Sequence, residues 1–173
     1  MKGIFISAGH SNLDSGAVGN GRKEADVVTE FRNLVARYLQ DWNVPYGTDG
    51  KGSENWSLTK ACAEAKKYSI AVEFHLNSAS PTATGVETLS APERFKLGEK
   101  LCIAVSTTLG IRNRGAKAEN SGQHSKLAFV RAGGIILELF FITNKTDLAA
   151  YDAKKWLLAR AVAQVLKEAY DVA

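Results

Sequence analysis

ISAGHSNLDSGAVGNGRKEADVVTE, residues 6–30, changes character twice within one short span. The apolar run that enters it, KGIFIS over 2–7, reads as a short buried strand and stops at Gly9-His10. A stretch rich in Gly, Ser, Asn and Asp follows. Glu24 then opens a segment, 24–41, in which Val27, Val28, Phe31, Leu34, Val35, Tyr38 and Leu39 recur at helical spacing. A strand that ends in a histidine is thus followed by a helix that begins with a glutamate. Gly16, Gly19 and Gly21 let the loop between them turn back, so that Glu24 can face the strand end.

The rest of the chain repeats this alternation. VPYGT (44–48) is a strand, and Ser57 is placed to cap a helix through LTKACAEAKKY. SIAVEFH (69–75) is a second strand that ends in a histidine, and SASPTATG (78–85) is a loop before the strand GVETLS. Pro92 suits the first turn of a helix that runs to about Leu109. GIRNRGAKAENSGQHSK (110–126), the longest polar stretch, reads as a loop, and LAFVR and GIILELFF read as two strands. Asn144 with Asp147 caps a short turn, and a final helix covers about 153–171. This order predicts an α/β fold in one domain over 1–173, with a mostly parallel sheet flanked by helices on both faces. Ligands of such sheets lie outside the carboxyl ends of the strands, where His10 and His75 fall.

Composition narrows the class. With 173 residues, 45% hydrophobic and 23% charged, the chain can bury its own core and is not disordered. The net charge of +4 is scattered, with no long basic run, which argues against a nucleic-acid partner and suits an anionic envelope. Cys62 and Cys102 lie in apolar helical patterns without a CxxC spacing and read as buried reduced thiols. No apolar run approaches the roughly 18 residues of a membrane span, so no membrane insertion is expected. MKGIFISAGH breaks too early for a secretory signal, so export by a signal peptide is not expected either.

Five groups of residues can carry chemistry. His10, Glu24 and His75 would make a His2Glu set of the kind that leaves zinc an open position. The histidines could equally be hydrogen-bonded structural residues, and Glu24 a carboxylate that complements the helix dipole. Glu138, in GGIILELFFITN, is costly among apolar neighbours unless it is paired or functional, and burial would raise its pKa toward general acid/base work. Exposure at a strand end is its alternative. Glu73 lies two residues before His75 and shares its face of the strand, so it either orients that ligand or pairs a charge at a sheet edge. Arg112, Arg114 and Lys117 could bind a substrate carboxylate or belong to a solvated loop. His124, in the same stretch, reads as exposed or substrate-facing.

These residues sit in motifs that resemble the zinc-dependent N-acetylmuramoyl-L-alanine amidase family of the amidase_3 type. SAGHSNLDSGAVG matches its opening segment, with Gly9-His10 and Asp14-Ser15-Gly16-Ala17 in place. Glu24 stands where the first helix opens. EFHLNS matches its SxHxN motif through His75 and Asn77, and LELFFITN its closing motif through Glu138, Phe141 and Asn144. Two positions depart from the pattern: Ser7 replaces the usual aspartate before Gly-His, and Glu73 replaces a small residue.

The resemblance implies a twisted six-stranded sheet and a Zn2+ ion held by His10, Glu24 and His75. It makes Glu138 the acid/base, Asn77 a substrate-binding residue, and peptidoglycan the substrate, cut at the amide between N-acetylmuramic acid and L-alanine. A compact chain without a signal or wall-binding domain resembles a phage or prophage endolysin. Such a protein is made in the host cytoplasm, reaches the wall by a holin-type route, and acts as a monomer. A zinc peptidase on the same fold and a catalytically inactive wall-binding module are the alternatives.

Overall fold

β1 (Ile4–Ala8) is buried along its whole length and organises the sheet around it. The protein is seen here in a computed structural model that describes residues 2–121 and 126–172. A small hairpin follows, β2 (Val18–Gly19) and β3 (Arg22–Lys23), and then α1 (Glu24–Asp41), β4 (Tyr46–Thr48), α2 (Leu58–Ala65) and β5 (Ile70–Asn77). The second half contains β6 (Val86–Ser90), a 3-10 turn at Pro92–Arg94, α3 (Phe95–Leu109), β7 (Asn113–Ala118), a second 3-10 turn at Glu119–Ser121, α4 (Ala128–Arg131), β8 (Ile135–Phe141) and α5 (Lys145–Asp171). The main sheet has six strands in the order β4-β1-β5-β8-β6-β7. Every pairing is parallel except β6 with β8.

Alternation along the strands sorts side chains onto two unequal faces. Ile4, Ile6, Val72, Phe74, Ile135 and Leu137 point into the larger core, beneath α1, α3 and α5. Phe5, Ala71, Leu89 and Ile136 point the other way, into a small cluster closed by Ala61 and Ala65 of α2 and Phe129 and Val130 of α4. Glu73, His75, Glu138 and Glu87 belong to this second face. The register makes His75 the neighbour of Glu138 on β8, and Glu138 the neighbour of Glu87 on β6.

Several expectations change. LAFVR is not a strand: residues 128–131 form the single turn α4, because β8 already has a neighbour on each side and Phe129 and Val130 are needed as a cover over the thin face. The polar stretch 110–126 is not all loop, since 113–118 forms β7, an edge strand with one neighbour and no need of an apolar face. Asn144 caps no short turn. Its side chain accepts from the Thr146 and Asp147 N–H groups and starts α5, which runs unbroken through the residues expected to precede the last helix. Ser57 occupies the position before α2, but its side chain makes no capping hydrogen bond. The first strand begins two residues later than read, and α1 has the expected bounds.

Candidate active site

The end of β1 delivers the first histidine through an unusual backbone. His10 has φ +69°, a left-handed conformation that costs most side chains about 1–2 kcal/mol. Glycines surround it where a Cβ has no room. At Gly9 a Cβ would run into the His75 ring, and at Gly16, φ +63°, it would fall between His10 Nε2 and Glu24 Oε2. Gly16 is therefore the glycine that lets the loop close on the helix start. The β2–β3 hairpin completes the return with an Asn20-Gly21 turn, both residues at positive φ, and Asn20 Nδ2 donates to the Ile142 carbonyl at 2.8 Å.

Three side chains converge at this edge. His10 Nε2 lies 2.9 Å from Glu24 Oε1, and His75 Nδ1 lies 3.1 Å from the same oxygen. One donor atom from each of His10, Glu24 and His75 falls within 4.8 Å of the others. His10 Nε2 is buried and its approach to Glu24 does not have hydrogen-bond geometry. The outward nitrogens are both taken: His10 Nδ1 by Asp14 Oδ2 at 2.9 Å, and His75 Nε2 by Glu73 Oε1 at 3.0 Å. Glu24 is itself fixed by backbone donors, Leu76 N–H to Oε1 and Ala17 N–H to Oε2, at 2.9 and 3.0 Å.

This set fits zinc on its chemistry: two imidazoles and a carboxylate, preorganised, with carboxylates behind both rings. Burial favours neutral Glu24, yet its contacts with His10 and His75 and the Leu76 N–H hold it well below the usual carboxylate range. Burial opposes charge on both histidines. The contacts to Glu24, reinforced by Asp14 for His10 and by Glu73 for His75, outweigh it and shift both upward.

Glu138 stands one strand away from His75. Burial pushes its carboxyl up to about 7, opposed by the nearby histidines and aided by the charges of Glu24 and Glu87. Its Oε2 is buried without a hydrogen-bond partner among the described residues, so it is not the solvated strand-end residue that was its alternative. A cleft of about 510 Å³, lined by His10, His75, Glu73, Leu58, Phe129 and Ile136, opens over the histidines. A hollow of about 610 Å³, lined in part by the 11–15 loop, is larger but contains neither histidine.

The basic residues divide. Arg114 Nε and Lys117 Nζ both bind Glu87 Oε2, and Asn77 Nδ2 donates to Glu87 Oε1 at 3.0 Å. These donors hold Glu87 below its ordinary range despite its burial. Arg112 is exposed and contributes its carbonyl to Val86 N–H, with no ion pair among the described residues. His124 lies outside the described residues. Sequence reasoning missed Glu87, although an acid in VETLS carries the same signal as the acid in LELFF. It also gave Asp14 no role, although it lies four residues from His10.

A histidine-rich strand edge beside a buried acid defines an α/β protein with a hydrolase-type donor set. The family described as N-acetylmuramoyl-L-alanine amidase (Amidase_3) matches residues 4–168, and the chain belongs to it. A Neisseria meningitidis structure provisionally named as such an amidase superimposes with a TM-score of 0.91 at 42% identity, over 98% of this chain and 96% of that one. The catalytic domain of CwlV from Bacillus (Paenibacillus) polymyxa shares the fold, with a TM-score of 0.86 at 22% identity over the whole of both chains. Among sequences, the Bacillus subtilis amidase LytC is 26% identical over 83% of this chain, and the endolysin of Bacillus phage SPP1 is 28% identical over 84%. The chain spans only 30% of LytC and 57% of the endolysin.

Proposed function

We propose that this chain is a zinc-dependent amidase that hydrolyses the bond between the lactyl group of N-acetylmuramic acid and L-alanine in peptidoglycan. The convergence of His10, Glu24 and His75 next to the unpartnered, half-buried Glu138 carries the reading. Zinc held by those three residues would supply Lewis acidity, activating water and polarising a carbonyl. Glu138, with its pKa near 7, takes the proton from the attacking water and returns it to the leaving amine. Asn77, Arg114 and Lys117 gather on Glu87, the strand neighbour of Glu138. Their two cations share one carboxylate, Glu87, and the remaining positive charge suits a carboxylate of the stem peptide. Similarity to a phage endolysin supports a role in wall lysis; action as a single chain after holin-type release is part of the same proposal.

The test is metal content and product analysis on one preparation. About one zinc per chain, with chelator-sensitive release of stem peptides that bear new L-alanine amino termini, is the expected result. Zinc with cleavage inside the stem peptide instead identifies a peptidase. Zinc with no cleavage identifies a binding module, and absence of zinc overturns the metal centre.

A further inference from the structure

We propose that Glu73 is a positioning residue that makes Nδ1, not Nε2, the metal-ligating nitrogen of His75, and that Ser7, Asp49 and Arg32 hold Glu73 in place for this. The proposal rests on the metal-centre reading above. A neutral imidazole carries one N–H. Glu73 is 3% exposed and takes Nε2 at 3.0 Å, while Nδ1 meets Glu24 Oε1 at 3.1 Å; a cation held beside Glu24 would replace the proton between Nδ1 and Glu24, and the remaining N–H would stay on Nε2, facing Glu73. At His10 the assignment is reversed, because Asp14 takes Nδ1 and Nε2 points inward. The two histidines therefore present different nitrogens, each fixed by a carboxylate from a different segment of the chain.

What holds Glu73 explains both departures noted in the sequence. Ser7 and Glu73 are cross-strand partners on β1 and β5, and Ser7 Oγ lies 3.3 Å from Glu73 Oε2. The same hydroxyl lies 2.9 Å from Asp49 Oδ2, which also accepts the Ala8 N–H at 3.0 Å. Asp49 Oδ1 in turn pairs with Arg32 Nη1 at 2.8 Å, with both side chains 0% exposed. A carboxylate at position 7 would confront Asp49 in a buried site. A hydroxyl there is uncharged and can give its one hydrogen to either carboxylate, and the acid that serves the metal site stands on β5. A buried line from Arg32 to His75 results, and loss of its last carboxylate frees the ring to turn.

The experiment loads the full chain with zinc, measures affinity by competition with a chromophoric chelator, and reads the metallated nitrogen of each histidine by 15N–1H correlation spectra. The expected spectra show His10 metallated at Nε2 and His75 at Nδ1. Glu73→Ala should weaken zinc binding by about 10–100-fold while the His10 signature is kept. Glu73→Gln, whose amide oxygen still accepts, should lose less. Wild-type affinity in Glu73→Ala, or Nε2 metallation of His75 in the unaltered chain, overturns the proposal, and the second readout needs no variant to fold. Zinc bound in this way without cleavage of peptidoglycan would sink the amidase reading and leave this one standing. Failure of the unaltered chain to bind zinc sinks both the metal centre and this proposal.

Discussion

The two faces of the sheet are built from the same strands, and they differ in what covers them. Three long helices, 18, 15 and 27 residues, seal one face over aromatic and aliphatic side chains. Two short ones, 8 and 4 residues, cover part of the other. On the sealed face the strands carry Ile, Val, Leu and Phe. On the open face, the same strands at the next position carry Ser7, Glu73, His75, Glu138 and Glu87. One pleat separates the core from the candidate site: residues that hold the fold together and residues of the proposed chemistry alternate along single strands.

The division can be broken most severely at Glu138. Glu138→Gln should cut turnover by about 10²–10⁴-fold with zinc content unchanged, measured as initial rates on purified peptidoglycan. Near-normal turnover would remove Glu138 from the acid/base role. The sealed face should respond in the opposite currency. Phe31 is 0% exposed and packs edge-on to Phe74 at 4.9 Å, so Phe31→Ala should cost about 3–5 kcal/mol of stability. Denaturant melts would register that loss, while activity per folded molecule stays as before.

A pH series sharpens the contrast further. The Glu138 pKa, near 7, lies above its ordinary 4.5, so the folded chain holds that proton more tightly than the unfolded one. Its stabilising contribution is complete below the unfolded pKa and is lost as pH rises through 7. Relative to Glu138→Gln, the metal-free protein should therefore lose up to about 3 kcal/mol across that window. Turnover moves the other way and grows as the base ionises. A flat stability difference across the window would mean that the carboxyl is not desolvated. The smallest effect is expected at the periphery of the sealed side, where Arg22 and Asp152 form a half-exposed pair at 3.0 Å. Arg22→Ala should change stability by no more than about 1 kcal/mol.

Legibility in the sequence follows the same division. α1 was readable to the residue because one stripe of apolar side chains meets the deep core, and β8 because it is buried on both sides. β7 and α4 were not. β7 is an edge strand whose polar sequence has no alternation, and a single turn such as α4 is too short to show a period. At the site, histidines that end strands and an acid in an apolar run announced His10, His75 and Glu138. What stayed hidden was pairing across the sheet. Only the antiparallel register of β6 with β8 sets Glu87 beside Glu138, and it turns Arg114 and Lys117 from free cations into partners of a buried acid. The Ser7 and Glu73 departures were visible singly, but their meeting depends on the β1–β5 register.

The left-handed backbone of His10 has a consequence for how such a chain tolerates change. Glycine or asparagine would sit there with less strain, so an imidazole at that position is a standing debt in the metal-free fold. Relieving it makes a sturdier protein with one donor fewer. Screens that select for thermal robustness alone would be drawn to this position, and those that select for catalysis would be held away from it.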